Sequence, residues 1–184
     1  MRKIDYNFVE KLYNDIAVEL LEEFNKNFDR KAFFTQPWQP RQRQGKGSLM
    51  IATGALRRSL SKQVTKEGIR FTSSMPYANI HNEGGEIVVT KRMKRFFWAK
   101  YYEAAGNVKT TKKGISKTKS NIALSALAQF WKAMALKKEG SKIVMPQRRF
   151  IGSSPEVKAI VALHVQRHLN TIATDLKEQL KPKK

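Results

Sequence analysis

The sequence predicts an α+β fold: a small antiparallel β-sheet packed against long N- and C-terminal helices, with a helical basic insertion at residues 91–140. Three observations predict it. Apolar residues recur every three to four positions over residues 8–28 and again beyond residue 154, the period of helices with one buried face. Between them lie short β-branched and aromatic runs punctuated by Gly and Pro, the pattern of strands and turns. Apolar residues make up 41% of the 184 positions, enough for one core in one domain spanning the chain.

The first helix follows from Phe8, Val9, Leu12, Tyr13, Ile16, Ala17, Leu20, Leu21, Phe24 and Phe28, with Glu10, Lys11, Asp15, Glu19, Glu22, Glu23 and Lys26 on its other face. Residues 35–48 are rich in Pro, Gly, Gln and Arg and predict an exposed loop, anchored to the body by Trp38. Residues 53–60 predict a short helix, with Thr53 as its cap and Gly54 allowing the turn. Residues 61–66 and 69–74 predict a hairpin about Glu67-Gly68. Residues 76–83 predict one or two helical turns begun by Pro76 and ended by Gly84-Gly85. A third strand follows at 86–90. Residues 92–104 predict a helix with Met93, Phe96, Phe97, Tyr101 and Ala104 on one side. Residues 106–120 have almost nothing to bury and predict a mobile loop. Residues 121–138 predict a helix through Ile122, Leu124, Leu127, Phe130, Trp131, Met134 and Leu136. Residues 141–145 predict a fourth strand. The last helix opens with Ser154 as cap, Pro155 first and Glu156 in its first turn, and the tail 181–184 is expected to fray.

Charge is the strongest compositional signal. Lys plus Arg number 36 against 15 Asp plus Glu, a formal net charge of +21, which points to a polyanionic partner. The excess is uneven. Residues 1–35 carry 6 basic and 7 acidic side chains, residues 36–60 carry 5 and none, and residues 91–120 carry 10 against Glu103 alone. The chain has no cysteine, which excludes disulfides, thiolate metal sites and cysteine nucleophiles. No secretory leader is expected at the start of the chain and no membrane span anywhere, since the most apolar stretch, 122–136, is short and holds Gln129 and Lys132.

Chemistry-bearing constellations are sparse. His164 and His168 stand one helical turn apart, but no carboxylate lies between them in sequence and no third ligand accompanies them, so packing and solvent account for both. His81 lacks any triad or nucleophile-elbow spacing and reads as structural. Gly45, Lys46 and Gly47 do not have phosphate-loop spacing. Neither catalysis, a metal nor a cofactor is expected. The segment 91–102 interleaves cations with five aromatics. Cations neutralise phosphates and aromatic faces stack on unpaired bases, but the helical spacing assigns these aromatics to a core. The cations Lys91, Arg92, Lys94, Arg95, Lys100, Lys109, Lys112, Lys113, Lys117 and Lys119 form the candidate contact set for nucleic acid or another polyanion.

Four segments resemble the phage virion morphogenesis family, whose members complete tails or join head to tail in tailed bacteriophages. The first is Phe33-Phe34 with Trp38 after a long helix. The second, residues 49–60, resembles an apolar run followed by Thr-Gly-x-Leu-Arg-x-Ser through Thr53, Gly54, Leu56, Arg57 and Ser59. The third resembles Pro-Tyr-Ala-x-x-His-x-x-Gly through Pro76, Tyr77, Ala78, His81 and Gly84, with Gly85 beside it. The fourth resembles Pro-x-Arg-x-Phe-Leu-Gly through Pro146, Arg148, Phe150 and Gly152. The segments span 33–152 in order, and residues 91–140 are longer than the family core requires.

The resemblance implies a non-enzymatic structural protein, assembled in the bacterial cytoplasm and carried in the virion at the head–tail junction or tail. Its implied partners are further copies of itself in a ring, other phage head or tail proteins and, through the basic segment, packaged DNA. The physical reading leaves a second class open: a monomeric, non-specific nucleic-acid-binding accessory protein using residues 91–119. A hydrolase built on His81 stands far behind both.

Overall fold

A computed structural model describes residues 6–41, 48–112 and 114–180. Along the chain come α1 (Tyr6–Arg30), β1 (Ala32–Phe33), β2 (Gln36–Pro37), α2 (Ala55–Arg58), β3 (Leu60–Thr65), β4 (Gly68–Ser73), α3 (Ala78–Glu83), β5 (Gly85–Val88), α4 (Lys91–Gly106), β6 (Thr110–Thr111), β7 (Gly114–Ile115), α5 (Lys119–Leu136), β8 (Lys142–Met145) and α6 (Pro155–Gln179). The fold is α+β, with small antiparallel sheets and long terminal helices. The described residues up to Gly84, together with those from Pro146 onward, form one compact unit, and Gly85–Met145 form another.

In the first unit, α1 buries Ile16, Leu20, Phe24 and Phe28, four residues apart each time, on one stripe of the helix. Phe33, Trp38, Leu56, Leu60, Ala78 and Phe150 close over that stripe. The rings interlock edge to face, Phe24 against Phe71 at 5.0 Å and Phe28 against Trp38 at 5.7 Å, an arrangement that aromatic quadrupoles favour. Asn27 sits fully buried in the same stripe. Its amide is spent on backbone: Oδ1 accepts from Phe34 N–H at 2.9 Å and Nδ2 donates to Phe150 O at 3.3 Å. The first of these bonds holds the two-residue turn between β1 and β2, where Phe34 has φ 52°, a conformation that is uncommon outside glycine.

The β3–β4 hairpin runs in register from Leu60↔Ser73 to Thr65↔Gly68. The turn is therefore Lys66-Glu67, one residue earlier than the sequence predicts, with Gly68 opening β4 at φ 144°. The two short helices also start later than predicted. Gly54, not Thr53, occupies the cap position of α2 at φ 75°, while Thr53 Oγ1 accepts from Ala55 N–H at 3.3 Å. α3 starts at Ala78, so Pro76 lies in the turn before it. The last helix opens as predicted, with Ser154 Oγ accepting from Val157 N–H and Pro155 at the first position.

The Glu156 carboxylate is held below its ordinary range by its own backbone N–H, by Ser154 and by the Thr35 hydroxyl, which donates to it at 2.9 Å. A carboxylate lowered in the folded state stabilises above its unfolded value and loses that contribution as pH falls through its folded value. Glu156→Gln should therefore melt below wild type at neutral pH. The gap should close under acid, below about 4.5. Thermal melts across that range check the sign: a gap that widens in acid would contradict it.

In the second unit, β5 and β8 pair with each other, from Gly85↔Met145 to Val88↔Lys142. The strands expected at 86–90 and 141–145 thus do not join the β3–β4 hairpin in one sheet. They close the base of the segment they bracket. Thr90 caps α4, its hydroxyl accepting from Met93 N–H at 3.2 Å. α4 and α5 pack along a seam of Phe97, Ala104, Ala128 and Ala135, with Trp131 stacked on Phe97 at 5.9 Å. The apolar stripe expected on α5 is only partly used, and Ile122 and Leu136 are more than half exposed. One partner helix covers a narrow seam, and alanines take it because they let the backbones approach closely.

Residues 106–120 correct the expectation of a mobile loop. Thr110↔Ile115 and Thr111↔Gly114 pair as β6–β7, and the tether lies outside the Lys-rich stretch. Asn121, 3% exposed, accepts from Lys109 N–H at 2.6 Å through Oδ1. Through Nδ2 it donates to Lys109 O and Ser116 O, both at 2.8 Å. Thr118 Oγ1 in turn accepts from Asn121 N–H at 3.4 Å. One amide side chain clamps both ends of the segment.

Candidate functional site

The structure brings together residues from three of the four motifs. Thr53, Gly54 and Leu56, then Tyr77 and His81, then Arg148 line one cleft of about 320 Å³ in the first unit. α2 and the two residues before it supply the first set, the turn into α3 and its body the second, and the irregular segment before α6 the third. Arg148 is fixed by Nε donating to Gln39 O at 3.0 Å and Nη2 to Pro40 O at 3.4 Å, and its backbone N–H donates to His81 O at 2.8 Å. Burial depresses the Arg148 guanidinium, with the Arg41 charge adding to the effect. Burial, with the Arg148 charge beside it, likewise lowers His81, whose Nδ1 is buried with no hydrogen-bond partner among the described residues. Arg41, which sequence reasoning left in an exposed loop, also lines the cleft and donates to Ser48 O.

The remaining motif residues are architectural. Trp38 is buried and its indole N–H donates to Arg149 O at 2.6 Å, so it ties the loop after β2 to the segment before α6 as expected. Arg57 forms a two-pronged pair with Asp29 of α1, at 2.7 and 2.8 Å. Ser59 closes α2 by donating to Leu56 O and hydrogen-bonds Ser73 Oγ across the hairpin. Ala78 and Phe150 are in the core. Gly84, Gly85 and Gly152 take positive φ. At Gly152 an added Cβ would also meet Arg149 Cδ at 3.2 Å. Pro146 begins the return to the first unit.

Sequence reasoning missed Asn82. Its Oδ1 accepts from both Phe150 N–H and Ile151 N–H, at 2.9 and 3.0 Å. No local pattern marks it, because its partners lie 68 and 69 residues away. Asn27 and Asn121 carried a fainter signal, a polar amide placed within or beside an apolar helical stripe.

His164 and His168 do not converge on a shared ligand. Each meets a carboxylate of α1, His164 with Glu19 at 2.6 Å and His168 with Asp15 at 2.9 Å, and Phe8 packs edge-on against the second ring. The matched four-residue spacings on two adjacent helices make a polar zipper. Among the described residues, no group of three or more His, Cys, Asp or Glu is placed to hold a metal ion.

The candidate cations divide into two groups at the ends of α4. Lys91, Arg92, Lys94 and Arg95 stand on its first turns, and Lys109, Lys112, Lys117 and Lys119 on the hairpin and helix start beyond its other end. A helix of 16 residues extends about 24 Å at 1.5 Å per residue, so the two groups are separate at physiological screening. Lys100 pairs with Glu103 at 2.5 Å. Lys113 lies outside the described residues. The aromatics of α4 are not all core: Trp98, Tyr101 and Tyr102 form a second cluster in which Tyr102 is 66% exposed and stacked on Trp98 at 5.9 Å. Among the described residues, no helix is long and apolar enough to cross a membrane.

The motif residues of the first unit are mainly architectural, and a basic helical hairpin interrupts that unit in sequence. Residues 6–170 match the phage virion morphogenesis family, and the chain belongs to that family. Membership supports a phage structural or assembly role and association with the virion. Comparison with curated proteins and with solved structures gave no match.

Proposed function

We propose that the chain is a non-enzymatic tail-completion or head–tail joining protein that works in a ring near the DNA path, assembled in the host cytoplasm and retained in the virion. Beyond family membership, one observation carries the reading. Eight of the ten candidate cations, four at each end of α4, have no carboxylate within ion-pair distance among the described residues. Unpaired cations at two levels about 24 Å apart suit contact along a duplex backbone. Such contacts hold DNA without reading its sequence and let it slide. Copies that meet head to tail through a closing rotation form a ring, and a net charge of +21 delays that closure until salt or an anionic partner screens the repulsion.

Light scattering across ionic strength, with and without neighbouring phage proteins, should reveal assembly. A monomer under every condition would count against the ring. Duplex DNA should bind without sequence preference, with Kd on the order of 10⁻⁴–10⁻⁶ M at physiological salt. Replacing Lys109, Lys112, Lys113, Lys117 and Lys119 by Gln should flatten the salt dependence by about 0.9 for each phosphate no longer neutralised and leave the melting temperature unchanged. An unaltered slope would remove DNA and leave an acidic protein surface as the partner of these cations. The exposed Trp98–Tyr102 stack beside Arg95 favours the second reading, a monomeric accessory protein that stacks on unpaired bases. Tighter binding to single strands than to duplex, by a protein that stays monomeric, would select it.

A further inference from the structure

The motif cleft has a chemistry that an architectural role does not require. Arg41, Arg148 and His81 line it, and among the described residues no Asp or Glu does. Arg148 is 7% exposed, yet the two carbonyls it holds use only two of the five N–H donors of a guanidinium. Its charge is buried without an ion-pair partner among the described residues, an arrangement that costs free energy until an anion arrives. His81 Nδ1 is also buried, with no hydrogen-bond partner among the described residues. Beside these groups stand Leu49, Leu56 and Tyr77, a wall suited to an apolar neighbour of the anion.

We propose that this cleft binds a carboxylate side chain, flanked by apolar residues, from an acidic segment of a different phage protein. Arg148 is nearly covered, so a stiff duplex backbone is a poor fit to the guanidinium. A planar carboxylate can meet it through paired N–H donors, the geometry that arginine favours. A second copy of this chain is a weaker donor than an acidic protein. On α1, Asp15 and Glu19 are taken by histidines, Glu23 by Lys26 and Arg30, and Asp29 by Arg57, which leaves Glu10 and Glu22 there, and Glu67, Glu139, Glu156, Asp175 and Glu178 elsewhere, as the described carboxylates outside an ion pair. The net charge of +21 adds repulsion between copies. The proposal does not depend on the DNA contact of the basic hairpin, which lies in the other unit.

NMR titration of the full chain tests it with two peptides, acetyl-Leu-Glu-Leu-amide and acetyl-Leu-Gln-Leu-amide, and with inorganic phosphate and a short DNA duplex. The Glu peptide should shift the Gly54 amide and His81 ring signals saturably, and bind about tenfold tighter than the Gln peptide, as expected for a charge-assisted over a neutral pair. Arg41→Gln, at the cleft wall, should weaken the Glu peptide about tenfold, and Arg41→Lys, which keeps the charge, should retain most of the binding; thermal melts of both come first, because Arg41 also donates to Ser48 O. Arg148→Gln should also abolish binding, but its burial and two backbone ties make it the greater risk to folding, so the Arg41 pair decides. Equal affinity for the two peptides would overturn the proposal, as would equal binding in Arg41→Gln. So would phosphate or duplex saturating the same signals as tightly, or shifts that depend on protein concentration alone and mark a second copy as the occupant.

Discussion

Phe150→Ala should lower the melting temperature of the first unit by about 6–20 °C. Phe150 is 1% exposed and its ring lies 5.2 Å from that of Phe28, which in turn packs on Trp38. Truncating a buried Phe removes its transfer free energy and leaves a cavity, for a cost of about 3–5 kcal/mol. For a chain of this size each kcal/mol moves the midpoint by about 2–4 °C. The backbone around Phe150 limits collapse into the hole, because its N–H is held by Asn82 and its carbonyl by Asn27. Differential scanning calorimetry measures the shift. A variant that melts like wild type yet fails to assemble would place Phe150 against a partner instead of in the core.

Asn121→Ala should release the basic hairpin while leaving the first unit intact. The substitution strips the side-chain partner from Lys109 N–H and Ser116 O, and one of two partners from Lys109 O, which still accepts from Ser116 N–H at 3.0 Å. These groups are part-buried, so each lost bond costs about 0.5–1.5 kcal/mol net, and a combined loss of about 1.4 kcal/mol speeds local opening tenfold. Amide exchange at Lys109 and Ser116 should accelerate at least that much, with the amides of α1 unchanged. Asn121→Asp keeps the acceptor and loses both donors, so it should fall between the two. Unchanged exchange in Asn121→Ala would mean that the β6–β7 pairing alone holds the segment.

The two predictions differ in how far the sequence anticipates them. Phe150 was legible, because it precedes a capped amphipathic helix and sits in a recognisable motif. The clamp made by Asn121 was not. Residues 106–120 read as having nothing to bury, and they bury almost nothing, but order there comes from hydrogen bonds to a side chain just outside the segment. Periodicity reports apolar faces and is blind to that kind of bond. The same blindness hid Asn82, and it hid Arg41 as a wall of the motif cleft, since a Gln- and Arg-rich loop carries no sign of where it folds back.

Local chemistry in the sequence determined the α+β class, the two long helices, the β3–β4 hairpin, the cap of α6, the family and the excess of positive charge. These follow from spacings of a few residues, where helix and strand periods and turn residues act directly. The tertiary structure alone decided that 85–88 pairs with 142–145, that the candidate cations separate to opposite ends of α4, and that three motifs distant along the chain meet around Arg148 and His81. Such outcomes depend on which surfaces find each other once the chain is compact. Many pairings satisfy the local pattern about equally, and only packing and the satisfaction of buried polar groups select among them.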